Sequence, residues 1–301
     1  MKLKQYNFNF KAMGTPCEIQ LFSEHPGKAS RLAKRMIADV QRLEAKYSRY
    51  RPDSFLSQIN QVALQGGSIV VDEETAYLLN YAETCYQQSD GLFDITSGVL
   101  RHAWRFHAQS LPGQAEILPL LDNVGWHKVN WLAPTLAFSQ PGMELDFGGI
   151  VKEYAVDRAA TLSKEAGILH GLINLGGDIK LLGPRGDGTP WIVGISHPRQ
   201  PGSVLLNLSV LRGAVASSGD YERCIVIDGV RYAHILNPKT GWPVKHLAAV
   251  SVISDFCVIA GSASTIAMLK EEQGPQWLTE LGLPHIWVDV NGNRGGNLGN
   301  C

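Results

Sequence analysis

Six short strand-like segments follow one another in the second half of the chain, and polar, glycine-bearing turns separate them. Each contains β-forming apolar residues and is bounded by turn residues, which is the pattern of a β-strand. The segments are Gly171–Ile173, Ile179–Gly183, Trp191–Ser196, Ser203–Leu211, Cys224–Ile227 and Ala249–Ile253. Because neighbouring segments are close enough in sequence to form hairpins, the pattern favours antiparallel sheets over a doubly wound parallel sheet.

Helical periodicity surrounds these strands. Apolar residues recur every three or four positions between Lys28 and Tyr47, as an amphipathic helix requires. Three further helices are predicted at Glu73–Ser89, from about 149 to 166, and at Cys257–Lys270. Asp72 precedes the first of these three and can cap its N-terminus. Helices that flank mixed, largely antiparallel sheets define an α+β fold.

The chain shows no internal repeat and no low-complexity linker, so residues 1–301 are predicted to form a single domain. Its opening segment, from Phe8 to Phe22, is predicted to be a strand around Met13-Gly14-Thr15. Its glycine- and asparagine-rich end, from about 291 to 301, is predicted to be a flexible tail.

The charge balance excludes two classes of partner. Lys and Arg together number 27, and Asp and Glu together number 28, so the chain has almost no net charge. It therefore has no overall electrostatic attraction to nucleic acid or to an anionic membrane surface. No apolar run approaches the roughly 18 residues that a membrane span needs. The five scattered cysteines and the polar start at Met1–Phe10 favour a cytoplasmic protein as written, and a periplasmic one if a leader was removed.

The segment Glu144–Asp157 carries the first indication of chemistry. A strand-like piece ends at Asp146 and runs through Gly148-Gly149 into a helix, whose first N–H groups can bind an anion. Lys152 lies in that first turn, where its positive charge interacts unfavourably with the helix dipole. A phosphate bound opposite the lysine would explain a positive charge at this position. A plain turn with a solvated lysine is the alternative.

Three more polar loops have the same ambiguity. Asn174–Ile179 has paired glycines before Asp178 but lacks the GxGxxG spacing, so a nicotinamide Rossmann site is disfavoured. Gly213–Glu222 is a run of small residues, which occurs where a flat ligand or another backbone lies close. Tyr232–Gly241 holds His234 before an Asn-Pro turn, and a lone histidine is more often structural than catalytic.

Seven segments, in this order, resemble the signature of the ApbE family of FAD:protein FMN transferases, once described as thiamine-biosynthesis lipoproteins. They are Met13–Thr15, Tyr47–Ser54 with Asn60, Gly91–Thr96, Leu145–Lys152, Asn174–Asp178, Ser218–Tyr221 and His234–Gly241. The resemblance extends from about residue 8 to 290 and implies a T-fold-like α+β fold of two intertwined lobes. It also implies a magnesium-dependent reaction in which FAD is cleaved, FMN is esterified to a Thr or Ser of a target flavoprotein, and AMP leaves.

The resemblance also implies roles for individual residues. His234 and Lys152 would be catalytic, with His234 as the proton carrier for the incoming hydroxyl. FAD would be bound by Met13, Tyr50, Asn60, Leu92, Phe93, Asp94, Asp146, Lys152, Asp178 and Ile235. The metal would be held at Gly149, Gly261, Ser264 and Thr265.

One position departs from the family pattern. The family's last block has Asp and Thr four apart on one helical face, and here the Asp position is Gly261 while Thr265 is retained. Glycine supplies no ligand and costs a helix about 1 kcal/mol relative to alanine. Magnesium binding should therefore be weakened unless Asp220, Asp178 or the FAD phosphates compensate.

Two other functions stay open at this stage. The first is an FAD-binding protein with impaired or no transferase activity, which Gly261 motivates. The second is an FAD pyrophosphatase, in which water replaces the acceptor hydroxyl, although Asn60 is the residue expected of a transferase. The acceptor protein and the oligomeric state cannot be predicted from these residues.

Overall fold

The architecture is a mixture of antiparallel sheets and helices, seen in a computed structural model that describes residues 3–106 and 110–298. The strands of this part are β1 (Lys4–Ala12), β2 (Thr15–Ser23), β3 (Gly67–Val70), β4 (Val129–Leu132), β5 (Thr135–Phe138), β6 (Gly171–Leu175), β7 (Asp178–Gly183), β8 (Trp191–Ser196), β9 (Val204–Val210), β10 (Gly213–Gly219), β11 (Cys224–Ile227), β12 (Val230–Ala233), β13 (Leu247–Ser254), β14 (His285–Asp289) and β15 (Arg294–Gly296). The α-helices are α1 (Pro26–Tyr47), α2 (Phe55–Gln65), α3 (Glu73–Gln88), α4 (Gln114–Leu121), α5 (Val151–Glu165), α6 (Cys257–Leu269) and α7 (Gly274–Glu280). Short 3₁₀ turns lie at Gly98–His102, Trp126–Lys128 and Glu271–Gln273.

A large sheet organises the molecule. Among the described residues its strand order is β1-β2-β6-β7-β10-β13-β14-β15, and every neighbouring pair is antiparallel. Smaller antiparallel sheets are formed by β3-β5-β4, by β8-β9 and by β11-β12. The prediction of an α+β fold with largely antiparallel sheets is therefore confirmed.

The two faces of the large sheet are covered differently. Ala214 and Ala216 of β10 belong to the main core, which the sheet shares with α1, α5 and α6. Val215, between them, points the other way into a second cluster with Trp191 and Val193 of β8. This alternation follows from the two-residue period of a β-strand. Helices α1, α5 and α6 therefore lie on the same face of the large sheet.

The chain between α1 and α5 forms a second body of structure around α2, α3 and the β3-β5-β4 sheet. Leu136 and Phe138 of β5 are buried in the same core as α1 and α5. The chain thus leaves the large sheet after β2 and returns to it at β6. No helix within residues 3–106 and 110–298 is long and apolar enough to cross a membrane.

Local signals correctly predicted where several helices begin. The carboxylate of Asp72 accepts the N–H of Thr75 at 2.9 Å and caps α3, as expected. α1, α5 and α6 also begin within two residues of their predicted starts. A cap is a contact between residues three apart, so the sequence is sufficient to predict it.

The predicted strand from Phe8 to Phe22 is two strands, β1 and β2, so the prediction is wrong only at Met13 and Gly14. Met13 and Gly14 have φ values of 54° and 73°, and they form the two-residue turn of the β1–β2 hairpin. Two successive left-handed residues are the requirement of a type I′ turn, which matches the twist of the flanking strands. The carboxylate of Glu44 on α1 accepts the N–H of Met13 at 2.6 Å and anchors this turn.

The end of the chain differs from the expected flexible tail. Arg294–Gly296 forms β15 and pairs with β14, since the turn at Asn291–Asn293 brings the chain back onto the sheet edge. Asp289 stabilises this turn by accepting the N–H groups of Asn291 and Asn293. Residues 299–301 of the predicted tail lie outside the described part of the chain, and the single-domain organisation stays a prediction.

Candidate functional site

A buried ion pair occupies the start of α5. Nζ of Lys152 lies 2.7 Å from Oδ2 of Asp178, whose side chain is only 3% exposed at the beginning of β7. Burial opposes the charge on Lys152, but the carboxylates of Asp178 and Glu153 outweigh it and raise the pKa of the lysine. Lys152 is therefore a fixed positive charge rather than a solvated side chain.

His234 lies among positive charges. Its Nδ1 donates to the carbonyl of Arg223 at 3.2 Å, which leaves Nε2 as the unprotonated nitrogen of the neutral ring. Burial lowers the pKa of His234; the hydrogen bond to Arg223 opposes this, and the charges of Arg223, Lys152 and Arg49 lower the pKa further. The ring is thus a neutral base at neutral pH, surrounded by cations that favour an anionic ligand.

The loop that precedes α5 is held by Asp146. Its Oδ1 accepts the N–H of Gly148 at 2.9 Å, and its Oδ2 pairs with Nη1 of Arg49 at 2.5 Å. Arg49 also donates from Nη2 to the hydroxyl of Tyr50 at 3.0 Å and lies over that ring. The Tyr50 side chain is 73% exposed, so it presents an accessible aromatic face beside a cation.

Asn60 of α2 positions Asp146 indirectly. Its Nδ2 donates to the carbonyl of Leu145 at 2.9 Å, and its Oδ1 accepts the N–H of Leu145 at 2.8 Å. This two-point clamp satisfies the backbone of a fully buried residue. Asn60 was expected to bind FAD, and in the structure its side chain orients the segment that bears Asp146.

Replacing Asn60 with aspartate is expected to lower the free energy of unfolding by about 1–3 kcal/mol. Aspartate cannot donate to the Leu145 carbonyl, so two oxygen atoms would face each other in a partly buried setting. Urea denaturation measures the loss. Asn80→Asp is a control, because Asn80 on α3 uses its amide oxygen to accept from Nε1 of Trp131 at an exposed site, which aspartate can also do. Equal stability of the Asn60 variant and wild type would contradict the clamp.

Asp94 shapes the loop after α3. Its carboxylate accepts the N–H and hydroxyl of Thr96 at 2.8 and 2.7 Å, and the N–H of Trp126 at 2.9 Å. The neighbouring Phe93 packs against Gly149, where an added Cβ would lie 3.2 Å from its Cζ. Leu92 is half-buried against the main core. This loop therefore contacts the glycine pair before α5, and Gly149 is needed for the close approach.

The β1–β2 turn and the β11–β12 hairpin meet near the same place. A Cβ at Gly14 would lie 3.9 Å from Nη2 of Arg223, so the arginine reaches the turn that contains Met13. Ile235 follows His234, is buried, and accepts the N–H of Val244 at 3.0 Å through its carbonyl. Met13 thus lies on the turn that Arg223 approaches, and Ile235 directly follows His234 in the chain.

The hydroxyls predicted for the metal site lie between α6 and β10. Oγ of Ser218 is hydrogen-bonded to Oγ of Ser264 at 2.8 Å and to Oγ1 of Thr265 at 2.9 Å. Ser264 also donates to the carbonyl of Gly261 at 2.9 Å. The small residues of Gly213–Gly219 form β10, on which α6 packs, so the neighbour they accommodate is another backbone.

Sequence reasoning missed Glu153, the second buried acid of this region. Its side chain is buried, Oε2 has no hydrogen-bond partner among the described residues, and burial together with the Asp178 carboxylate raises its pKa. Its signal in the sequence was an acid in the first helical turn, directly after Lys152. By contrast, Asp220 is committed to Arg199, with N–O distances of 2.6 and 2.7 Å.

Cations, a neutral histidine and a glycine-rich helix start on an α+β scaffold are the features of a protein that binds a phosphate-bearing ligand. The ApbE family model matches residues 13–287, and the chain belongs to this family. It is 30% identical over 283 residues to the FAD:protein FMN transferase of Rhodobacter capsulatus, covering 91% of this chain and 53% of that protein. It is 31% identical over 255 residues to the one from Klebsiella pneumoniae, covering 83% of this chain and 77% of that protein.

Solved structures agree with this assignment. The ApbE protein of Thermotoga maritima superimposes with a TM-score of 0.90 and 29% identity, covering 98% of this chain and 97% of that chain. The flavin transferase ApbE of Vibrio cholerae does so with a TM-score of 0.88 and 26% identity, with the same coverage of 98% and 97%. The fold and the family resemblance predicted from the sequence are confirmed.

Proposed function

We propose that this chain is an FAD:protein FMN transferase with FAD as the donor substrate. The observation that carries the proposal is His234, whose Nδ1 donates to the carbonyl of Arg223 and leaves Nε2 as a base near the charges of Arg223, Lys152 and Arg49. The name shared by the curated relatives supports the same activity. The acceptor is a Thr or Ser hydroxyl of a target flavoprotein.

The reaction balances with the groups present. The acceptor oxygen forms a bond to the phosphorus on the FMN side of the diphosphate, and the bond from that phosphorus to the bridging oxygen breaks. AMP leaves with the bridging oxygen, and the hydroxyl proton passes to Nε2 of His234. Positive side chains neutralise the phosphate oxygens, which is the main requirement of phosphoryl transfer. In this chain Arg223 would supply such a charge together with Lys152 and Arg49, which are also paired with Asp178 and Asp146.

The remaining predicted FAD residues divide into two groups. Tyr50 presents an exposed ring on which a flat heterocycle can stack, and the half-buried Met13 and Leu92 supply apolar surface. Phe93 and Ile235 are buried and support the segments around them. Asn60, Asp94, Asp146 and Asp178 have their polar atoms engaged by the protein. We assign this second group to holding the loops and the lysine in place for FAD.

A magnesium ion fits the donors of this region. The Glu153 carboxyl group lies beside Gly261 with its Oε2 unpartnered among the described residues, and Ser264 and Thr265 follow Gly261 one turn later on α6. Mg²⁺ prefers hard oxygen ligands and usually keeps several of its bound waters. One or two carboxylates together with substrate phosphates are enough to hold it. No cluster of three or more His, Cys, Asp or Glu forms a metal site in residues 3–106 and 110–298, so substrate oxygens would complete the set. When bound, Mg²⁺ would neutralise charge on the diphosphate.

The alternative of an FAD-binding protein without activity is not favoured. It depended on the absence of a carboxylate at position 261, and the structure contains a carboxylate beside that position. The pyrophosphatase alternative differs only in the nucleophile, so the same assay separates it from transfer.

The test combines the protein with FAD, MgCl₂ and an acceptor flavoprotein that the Vibrio cholerae flavin transferase modifies in a parallel reaction. We expect the acceptor to gain the mass of FMN less one water, with one AMP released for each acceptor modified. FMN and AMP formed without acceptor would indicate the pyrophosphatase. An unmodified acceptor with intact FAD, while the parallel reaction succeeds, would contradict the proposal.

A further inference from the structure

Helices α5 and α6 lie side by side and exchange contacts through one face of α5. Phe256, the N-cap of α6, makes no side-chain cap hydrogen bond. The carboxylate of Asp157 on α5 takes that role, accepting the N–H groups of Cys257 and Val258 at 2.9 Å each. Residues four apart share a helix face, so Glu153 faces α6 next to Asp157.

Glu153 occupies the space that a side chain at position 261 would need. A Cβ built on Gly261 would lie 2.5 Å from Cγ, 3.0 Å from Cδ and 3.1 Å from Oε1 of Glu153. Real side chains do not pack at the first of these distances, so one of the two residues must be small. The absence of a side chain at position 261 therefore leaves the space that the carboxylate at position 153 occupies.

We propose that Glu153 supplies the carboxylate ligand of the divalent-cation site, in place of the family aspartate whose position is Gly261. The ligand has moved from α6 to the facing turn of α5. The inference rests on the proposed function for the presence of a cation, but the identity of the ligand is a separate claim.

Burial and pairing support Glu153 over the other acids. Its side chain is 7% exposed and Oε2 has no hydrogen-bond partner within residues 3–106 and 110–298, whereas a buried carboxylate normally has one. Asp178 is paired with Lys152, and both oxygens of Asp220 are bound by Arg199. A bound cation would give Oε2 of Glu153 a partner that the described residues do not supply.

Two hydroxyl donors lie on the same face of α6 as Gly261, which Glu153 approaches. Ser264 and Thr265 follow Gly261 by three and four residues, so they share its face of α6. Their hydroxyls meet at Ser218 rather than facing solvent. One carboxylate and two hydroxyls are hard oxygen donors of the kind that Mg²⁺ and Mn²⁺ accept.

The test measures Mn²⁺ binding to the FAD complex without acceptor, by electron paramagnetic resonance of the free ion. Glu153→Gln should weaken Mn²⁺ binding about tenfold or more, because a charged ligand is lost. FAD binding, followed by quenching of flavin fluorescence, should be retained. Glu165→Gln, at the exposed opposite end of α5, is the matched control and should bind Mn²⁺ like wild type.

A reciprocal variant tests the exchange of position. Glu153→Gly combined with Gly261→Asp should bind Mn²⁺ more tightly than Glu153→Gly alone. Unchanged Mn²⁺ binding in Glu153→Gln, or no Mn²⁺ binding by wild type, would overturn the inference. The isosteric Gln variant keeps the test valid if the double variant does not fold. If Mn²⁺ binding depends on Glu153 but no FMN is transferred, the proposed function fails and the ligand assignment stands.

Discussion

Replacing His234 with glutamine is expected to lower the rate of FMN transfer by about 10²–10⁴-fold, the usual contribution of a positioned general base. Glutamine can still donate to the Arg223 carbonyl that Nδ1 contacts, so the local fold should persist. FAD binding should change little, because the cations around the site remain. Transfer is measured by acceptor mass under single-turnover conditions, and FAD binding by fluorescence.

The pH dependence of transfer provides an independent check. Burial and nearby positive charge lower the pKa of His234 from 6.5, so its basic form predominates at neutral pH. Protonation removes the base, so the wild-type rate should fall as pH drops through a value below 6.5 and stay level above it. The glutamine variant should lack this acid limb.

A second histidine, His170, is a control that separates a loss of catalysis from a general effect of replacing a histidine. Nδ1 of His170 donates to the carbonyl of Pro184 at 2.9 Å, the same kind of contact that His234 makes. His170 precedes β6, at the opposite end of that strand from Asp178. His170→Gln should transfer FMN like wild type. A His234→Gln variant that transfers FMN at the wild-type rate would eliminate His234 as the base.

Replacing Lys152 with methionine is expected to lower the free energy of unfolding by about 3 kcal/mol, even without FAD. The substitution leaves the 3%-exposed Asp178 carboxylate without its partner and next to Glu153. A buried unpaired charge costs more than the intact pair gains. FAD binding should weaken as well, since a positive charge near the diphosphate is lost.

A double-mutant cycle isolates this pair. Asp178→Asn added to Lys152→Met should recover part of the lost stability, because the orphaned charge is removed. Urea denaturation of the FAD-free protein gives the four values. The pair Lys46 and Asp72, whose carboxylate is 53% exposed, should show a smaller coupling energy. A coupling between Lys152 and Asp178 no larger than that control would contradict the structural role of the pair.

Much of the helical structure could be predicted because its signals are local. α1, α3, α5 and α6 follow from apolar periodicity and from caps such as Asp72, which involve residues three or four apart. The hairpin turn at Met13 was mistaken for a strand because β-forming residues surround it on both sides. Only the positive φ of two successive residues distinguishes the turn.

Elements without strong propensity were missed for the opposite reason. β10 consists of Gly, Ala, Val and Ser, and its composition is not that of a typical strand. It lies between β7 and β13, and α6 covers it closely, so tertiary packing determines both its conformation and its small side chains. β15 likewise depends on pairing with β14 rather than on its own residues, Arg-Gly-Gly.

From the amino-acid sequence alone came the α+β class, the ordered motifs of the ApbE family, and the departure at Gly261. These features depend on residue identity and short spacings, which a chain carries whether or not it is folded. Only the tertiary structure placed Glu153 against Gly261, Asp157 at the start of α6 and Lys152 beside Asp178. Such contacts join residues distant along the chain, and they are set by how the helices pack on the sheet rather than by local preference.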